Sequence, residues 1–370
     1  MVMKFALQFL LIFNLFNSQQ LKLFHLKEKG NVLICDSIKI NGRFVSGKLI
    51  FDTGSTKTLL DVGTLDIENY RRKETINTYY GQLSFRNIRL NSLEIGNLRE
   101  EKIEVRFIDI KKILGSCNPE NIIGIIGMDI IKKYNWKLNL KNNELLYSNS
   151  AFNNDGYSIY PINFKHNGGK FFGSDKKPTF SLKINDINTD FIIDTGSFDI
   201  ISVNKKNQKI PKIKLLEMQN SYGNIISEEY IAKGKIYIID KEVDLPIKYS
   251  DHLLTSIGAG FLKNFEVIFD EGFKNIYLKK HEDFKTDVDI KMNFGFSIEK
   301  FYNNIRVSNV YKNSLADKSG LKVLDEIASI NGINLEQYDL CTDAQNIVAQ
   351  FEKSQMIIRL KNDKIINIVK

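Results

Sequence analysis

The sequence Asp-Thr-Gly-Ser occurs twice in this 370-residue chain, at residues 52–55 and 194–197. An apolar run precedes each copy, Leu-Ile-Phe at 49–51 and Phe-Ile-Ile at 191–193. A buried strand that ends in a tight turn presents a carboxylate at its tip, and the glycine allows the backbone to turn. Two such loops in one chain predict a pair of carboxylates that share a proton, an arrangement suited to acid–base chemistry.

The surroundings of the two copies repeat in the same order. Tyr-Gly follows the aspartate by 28 residues in both halves, at 80–81 and 222–223. The other repeated landmarks are Lys-Ile-Asn at 39–41 and 183–185, a hydrophobic-Gly element at 125–131 and 256–262, and a hairpin-like stretch at 136–147 and 267–278. This common order indicates a duplicated unit of roughly 110 to 120 residues.

These motifs resemble those of the retropepsin-like and pepsin-like aspartic proteases, over about residues 33 to 281. The resemblance implies a mainly β fold in which each half forms a retropepsin-like β-barrel lobe, the aspartates meet between the lobes, and a hairpin flap closes over the substrate. Retroviral members build the site from two identical chains, whereas this chain carries both halves, which implies a pseudo-two-fold single-chain protease. We expect lobe 1 at 31–148, an inter-lobe linker rich in Asn, Asp, Ser and Gly at 149–169, and lobe 2 at 170–281.

Carried over position by position, the resemblance assigns a role to each residue of the repeated motifs. Asp52 and Asp194 are implied to be the catalytic dyad. The implied supporting residues are Thr53, Gly54, Ser55, Thr195, Gly196 and Ser197, with both threonines in hydrogen bonds between the lobes. The implied flap tips, which would contact substrate, are Tyr80, Gly81, Tyr222 and Gly223.

The motifs depart from the family pattern at two places. Neither flap glycine, Gly81 or Gly223, is followed by the Thr-Gly common in pepsins. The second hydrophobic-Gly element has Ser256 where the first has Ile125. Both departures concern the flaps and the symmetry of the lobes, and neither removes a catalytic carboxylate.

The chain from about residue 287 onward does not match the repeat. It contains Phe-Gly-Phe at 294–296, apolar stretches at 305–310 and 323–330, and a helical pattern from about 342 to 353. This resembles a PDZ domain at 287–370, a small α/β domain, although Leu324 stands where many relatives carry glycine. The resemblance implies that Phe294, Gly295 and Phe296 form a loop whose backbone N–H groups hold a peptide's terminal carboxylate, beside a strand edge that pairs with the peptide. A generic small α/β domain is the alternative.

The N-terminal residues 1–19 predict a signal peptide. Lys4 supplies a positive charge, residues 5–16 form an apolar stretch of twelve, and polar residues follow at 17–20. Because a bilayer-spanning helix needs about 20 residues, we expect an export signal or an uncleaved anchor, with a buried amphipathic helix as the alternative. The protein is then expected in the periplasm, at the cell surface or secreted, and abundant Lys, Asn and Ile favour an AT-rich bacterial genome.

Composition sets the remaining expectations. The chain is 43% hydrophobic, as globular proteins are, and its net charge of +8 comes from scattered lysines, so we expect no nucleic-acid partner. The chain has three cysteines, Cys35, Cys117 and Cys341, so at least one is unpaired within the chain. A disulfide between Cys35 and Cys117 and free thiols at both positions are the two alternatives. The four histidines are solitary and no zinc-ligand spacing occurs, so we expect no metal and no cofactor, and a Ser-His-Asp or Cys-His hydrolase is disfavoured.

The combined prediction is an exported aspartic endopeptidase, a monomer whose PDZ domain recognises a peptide or protein substrate. The ionised aspartate would deprotonate a water molecule while the protonated one hydrogen-bonds the substrate carbonyl. Hydroxyls of Ser55 and Ser197 are expected to lower the first macroscopic pKa of the dyad, with activity at acid to mildly acid pH. Two alternatives stay open: a catalytically inactive protein that binds peptides through its PDZ domain, and a structural module that dimerises through the aspartate loops.

Overall fold

The computed structural model describes residues 19–21, 23–25, 33–64, 74–78, 81–110, 113, 121–165, 176–197, 199–206, 216–222, 224–282, 294–301, 303–337 and 344–370. Within these residues the chain is mainly β, which confirms the predicted fold class. The helices in this part of the chain are short, and none is long and apolar enough to cross a membrane.

Most strands of the first half form a larger sheet and a smaller one, and the remaining strands belong to a third sheet. Its elements are β1 (Gln19–Leu21), β2 (Leu23–His25), β3 (Leu33–Cys35), β4 (Ile38–Ile40), β5 (Arg43–Val45), β6 (Lys48–Phe51), β7 (Leu59–Asp61), β8 (Glu74–Thr78), β9 (Gly81–Arg89), β10 (Ser92–Ile95), β11 (Leu98–Glu101), β12 (Glu104–Ile108), β13 (Ile122–Ile126), α1 (Met128–Ile131), β14 (Asn135–Asn139) and β15 (Glu144–Ser148). The larger sheet has the order β2-β3-β6-β13-β7-β12-β9-β8, the smaller has the order β11-β10-β4-β5, and β1, β14 and β15 belong to the third. Every residue of β13 is buried, as expected for a central strand covered on both faces.

The second half has a closed arrangement of strands. Its elements are β16 (Ser158–Pro161), β17 (Asn163–Lys165), β18 (Lys177–Ile184), β19 (Ile187–Asp194), β20 (Ile201–Asn204), β21 (Leu216–Tyr222), β22 (Ile225–Ile238), β23 (Lys241–Ser250), β24 (Ser256–Gly258), α2 (Ala259–Leu262), β25 (Phe265–Phe269) and β26 (Asn275–Lys280). The strands follow the order β17-β18-β19-β24-β20-β23-β22-β21. Because β18 also pairs with β22, this sheet closes on itself as a barrel.

The duplicated landmarks correspond to the same local structures in both halves. Strand β6, which leads to the first aspartate, pairs in parallel with β13, and β19, which leads to the second, pairs in parallel with β24. The partner strands then enter the short helices α1 and α2. The asparagines of the two Lys-Ile-Asn motifs, Asn41 and Asn185, both adopt left-handed backbone angles, with φ of 50° and 46°. Asparagine tolerates this conformation better than most residues do.

One sheet and one core span both halves. The predicted hairpins β14/β15 and β25/β26 lie side by side in the strand order β1-β15-β14-β25-β26-β16. Trp136 on β14 is fully buried, and its ring centroid lies 4.8 Å from that of Phe51. The Trp136 Nε1–H group donates a hydrogen bond to the carbonyl of Ile131 at 2.6 Å. The strand that ends at the first aspartate loop therefore packs directly against the shared sheet.

The C-terminal region has a hydrophobic core of its own. Its elements are β27 (Phe296–Phe301), β28 (Asn304–Tyr311), α3 (Leu315–Lys318), β29 (Ile327–Ile330), β30 (Ile333–Asn334), a 3₁₀ turn (Leu335–Gln337), α4 (Ala344–Phe351), β31 (Gln355–Leu360) and β32 (Ile365–Val369). Strand β28 pairs with β27 on one side and, antiparallel, with β21 of the second half on the other. The C-terminal region is thus joined to the second half by strand pairing.

Both predicted hairpins are present, and the predicted linker contains two strands. Strands β8 and β9 form the hairpin predicted as a flap, and β21 and β22 form its counterpart. The stretch 149–169, predicted as a linker, contains β16 and β17, which pair with β26 and β18 and so belong to the sheets. Cys35 is a free and buried thiol. Residues 1–18 of the predicted signal peptide, Cys117 and Cys341 lie outside the described residues.

Candidate active site

The two aspartates lie in loops that directly follow buried strands, and the turns orient their carboxylates. In the first loop the backbone N–H groups of Gly54 and Ser55 donate to Oδ1 of Asp52, at 2.7 and 3.2 Å. In the second loop the N–H group of Gly196 donates to Oδ1 of Asp194 at 3.1 Å. The glycine after each Asp-Thr pair therefore holds the carboxylate of its own loop.

Two threonines join the loops by reciprocal hydrogen bonds. The hydroxyl of Thr53 donates to the carbonyl of Ile193 at 2.7 Å and accepts from the N–H group of Thr195 at 3.1 Å. The hydroxyl of Thr195 donates to the carbonyl of Phe51 at 2.8 Å and accepts from the N–H group of Thr53 at 3.0 Å. Both threonine side chains are fully buried, so this contact satisfies polar groups that water does not reach.

The same glycines let each loop approach the opposite carboxylate. A Cβ atom on Gly54 would lie 2.6 Å from Cγ of Asp194, and one on Gly196 would lie 2.5 Å from Cγ of Asp52. Both distances are shorter than a Cβ atom tolerates. The sequence-predicted residues at 52–55 and 194–197 are therefore brought together as one site, in which each aspartate rests against the backbone of the other loop.

Each carboxyl group lies against the glycine that holds the other one, and burial raises the pKa of both. Burial raises the pKa of Asp194 to about 8, and the negative charge of Asp52 acts in the same direction. For Asp52 the effect of burial is opposed by the charge of Lys177 and by the N–H groups of Gly54 and Ser55. Asp52 thus accepts two backbone hydrogen bonds and Asp194 one, and the raised pKa values indicate that the pair as a whole retains a proton.

The serine hydroxyls do not make the contacts that the sequence suggested. The Ser55 hydroxyl donates to the carbonyl of Lys57 at 2.8 Å, and Oγ of Ser197 accepts from the N–H group of Asp199 at 3.3 Å. Backbone N–H groups support the carboxylates instead. Burial outweighs these hydrogen bonds and raises the pKa of each aspartate, so the expected lowering is not found. The sequence did not indicate this, because a sequence pattern does not reveal how deeply a loop is buried.

Lys177, the first residue of β18, is a site residue that the sequence predictions missed. Its side chain is only 8% exposed, its Nζ donates to the carbonyl of Gly54 at 2.5 Å, and its charge lowers the pKa of both aspartates. A signal was present in the repeat: aligning the two Lys-Ile-Asn motifs places Lys177 opposite Leu33, which is buried in the first half. A lysine at a position that the other copy fills with a buried leucine needs a specific partner.

A cavity of about 310 Å³ has both aspartates in its lining. Leu83 and Phe85 on β9 line it, so the first predicted flap hairpin borders the cavity. Further apolar lining from the first half comes from Leu59, Ile108, Ile113 and Ile125. The second half contributes polar groups, among them Ser197, Asp199, Ser202 and Ser256. The first half thus supplies most of the apolar lining, and polar or charged groups from both halves lie beside the carboxylates.

The predicted flap tips are only partly within the described residues. Gly81 is the first residue of β9, and Tyr222 is the last residue of β21. Tyr80 and Gly223 lie outside the described residues. The hairpins are therefore established by strand pairing, while the roles assigned to their tips stay predictions.

The predicted carboxylate-binding loop at 294–296 leads into β27, a strand at the edge of its sheet. Phe294 and Phe296 are buried, and their ring centroids lie 6.4 and 5.0 Å from that of Phe351 on α4. Gly295 adopts φ of 85°, and a Cβ atom there would lie 2.1 Å from Cβ of Ser314. Among the described strands β27 pairs with β28 alone, so its other edge is open for an added peptide strand.

Comparison with protein families agrees with both parts of this description. Residues 37–130 match the aspartyl protease family model, and residues 286–359 match the PDZ domain model. Asp52 lies within the first match, and Asp194 lies between the two. No curated protein matches the chain. The chain therefore carries an aspartyl protease domain and a PDZ domain.

Proposed function

We propose that the protein is an exported aspartic endopeptidase in which Asp52 and Asp194 form a single catalytic dyad. The observation that carries the proposal is that each carboxyl group lies against the glycine of the opposite loop, so that both line one cavity. Two adjacent carboxyl groups do not both ionise readily, so the pair retains one proton over a broad pH range. A retained proton beside an ionised carboxylate provides an acid and a base in one place.

In the proposed reaction Asp52 acts first as the base and Asp194 as the acid. Asp52 takes a proton from a water molecule whose oxygen attacks the carbonyl carbon of the scissile peptide. Asp194 gives its proton to the carbonyl oxygen, which yields a tetrahedral diol. The diol then collapses as Asp194 recovers a proton from a hydroxyl group and Asp52 passes its proton to the leaving nitrogen, so that the C–N bond breaks and the dyad returns to its starting state.

We further propose that one chain supplies the whole site as two pseudo-two-fold lobes. The reciprocal threonine bonds support this, since each connects residues 140 or more positions apart in one chain. The parallel pairings of β6 with β13 and of β19 with β24 support it too. On this proposal the working form is a monomer.

The PDZ domain is proposed to recognise a segment of the substrate, or a protein C-terminus, at the open edge of β27. A strand added there would be held by main-chain hydrogen bonds, with the loop at 294–296 at its carboxylate end. Export is proposed from the apolar stretch at residues 5–16 and the polar residues that follow it.

Cleavage of a diverse peptide library across pH tests the proposed activity. We expect the full chain to cleave peptides, and Asp52→Asn and Asp194→Asn each to lower the rate by at least about a hundredfold, because either change removes one half of the acid–base pair. Asp190→Asn is the matched control: Asp190 lies on the same strand as Asp194 but is only half-buried and is paired with Lys165. No cleavage by the folded protein, or full activity of Asp194→Asn, would contradict the proposal and favour a peptide-binding role.

A further inference from the structure

Lys177 is placed where one positive charge acts on both aspartates. It lines the same cavity as Asp52 and Asp194, and its side chain is almost completely buried. Its Nζ is held by the carbonyl of Gly54, the residue whose backbone lies against the Asp194 carboxylate. Burying an ammonium group is costly unless it is hydrogen-bonded and lies near a negative charge. A singly ionised aspartate pair supplies that charge.

The other charged groups around the cavity are arranged differently. Lys57 and Arg106 line it from the first half, and the Arg106 guanidinium lies over an aromatic ring, 4.8 Å from the centroid of Phe85. Asp199 lines it from the second half and lies 4.0 Å from the Nζ of Lys248 on β23. Outside the pair itself, Lys177 is the charge that acts most strongly on both carboxyl groups.

We propose that Lys177 is a positioning residue whose ammonium group keeps the Asp52–Asp194 pair singly ionised and thereby sets the pH range in which the pair is competent. Removing the charge removes an attraction that favours ionisation, so both ionisation steps of the pair should move to higher pH. In a bell-shaped activity profile the acid limb follows the first step and the alkaline limb the second, so both limbs should move upward together. Only this kinetic consequence rests on the proposed peptidase function, because ionisation can be measured without turnover.

Carbon-13 NMR titration of the aspartate carboxyl groups in the full chain tests the inference directly. Lys177→Gln retains an N–H donor for the Gly54 carbonyl but removes the charge, whereas Lys177→Arg retains the charge. We expect the apparent pKa values of the pair to rise by about 1 to 3 units in Lys177→Gln and to stay near the wild-type values in Lys177→Arg. Lys183→Gln, an exposed change on the same strand, is the matched control and should leave the titration unchanged.

The inference would be overturned if the apparent pKa values of the pair stayed unchanged or fell in Lys177→Gln. It would also be overturned if these pKa values rose equally in Lys177→Arg and Lys177→Gln, because that result would indicate an effect of packing and not of charge. Lys177→Met provides a second uncharged variant if Lys177→Gln does not fold, since the equivalent position of the first half holds a buried leucine.

The activity profile separates this inference from the proposed function. If the protein cleaves peptides but the acid and alkaline limbs of its pH profile do not move in the uncharged variants, the peptidase function is supported and the role of Lys177 is refuted. If the wild type cleaves no peptide but the carboxyl titration of the uncharged variants shifts upward as expected, the role of Lys177 is supported and the peptidase function is refuted.

Discussion

At the scale of single residues, the threonine of each aspartate loop uses one hydroxyl for two hydrogen bonds to the opposite loop. Thr53 donates to the carbonyl of Ile193 and accepts from the N–H group of Thr195. Serine could supply the same groups, but the fully buried site also favours the methyl group of threonine. The hydroxyl keeps two buried backbone groups satisfied, so its loss should affect stability as well as the position of the carboxylates.

We predict that Thr53→Val lowers the free energy of unfolding by about 2 to 6 kcal/mol, because it leaves a buried carbonyl and a buried N–H group unpaired, each at a cost of about 1 to 3 kcal/mol. Urea unfolding followed by circular dichroism measures the change. Thr75→Val, an exposed change on β8, is the control and should shift stability by no more than about 0.5 kcal/mol. Equal stability of the two variants would mean that the threonine contact does not hold the loops together.

The residues of this contact could be predicted from the sequence, but the ionisation of the carboxyl groups could not. The repeated Asp-Thr-Gly-Ser identified both loops, and the resemblance to aspartic proteases implied that the threonines form hydrogen bonds between them. The pKa of Asp194 depends on groups from distant parts of the chain, among them Asp52 and Lys177, and no local pattern records which groups these are. Lys177 was missed because its signal lies in the comparison of the two copies, where it replaces the buried Leu33.

At the scale of elements, the two repeated hairpins have different partners. Strand β9 of the first hairpin lines the cavity, whereas β21 of the second pairs with β28 of the PDZ domain. Arg306 on β28 is buried and connects both sides of this junction: it binds Glu299 on β27 at 2.7 Å and donates to the side chain of Asn224, in the turn after β21, at 3.0 Å. The hydroxyl of Ser221 donates to the same Glu299 at 3.0 Å.

We predict that Arg306→Met loosens the pairing of β21 with β28, because it removes charge-assisted hydrogen bonds from a buried junction. Hydrogen exchange followed by mass spectrometry should show the backbone amides at 218–220 exchanging about tenfold faster or more. Arg359→Met, an exposed change on β31 of the same domain, should leave this exchange unaltered. Unchanged protection at 218–220 in Arg306→Met would show that the strand pairing does not depend on this residue.

The hairpins themselves could be predicted from the sequence, and their partners could not. Each hairpin shows a local signal, in which Tyr-Gly separates two strand-like stretches. The pairing of β21 with β28 joins residues about 90 positions apart, and it depends on which strand edge remains free once both domains have folded. For the same reason β16 and β17 were predicted as linker: both are short, and their partners β26 and β18 lie elsewhere in the sequence.

At the scale of the whole molecule, the first and second halves form one structural unit. The shared sheet places β14 of the first half beside β25 of the second, and the hydrophobic core continues from one half to the other. The duplication predicted two similar units but not how they pack, because packing depends on the apolar surfaces that the units present to each other. A shared core holds the two aspartate loops at a fixed separation, as a dyad requires.

If a single chain supplies both carboxylates of one site, two inactivated variants cannot restore each other's activity when they are mixed. Asp52→Asn and Asp194→Asn are assayed for peptide cleavage separately and after being unfolded and refolded together in equal amounts. We expect an active wild type and rates at least about a hundredfold lower in either variant and in their mixture, because every chain then lacks one carboxylate of its site. Recovery toward about a quarter of the wild-type rate in the mixture, as random dimers that exchange halves would give, would contradict this expectation.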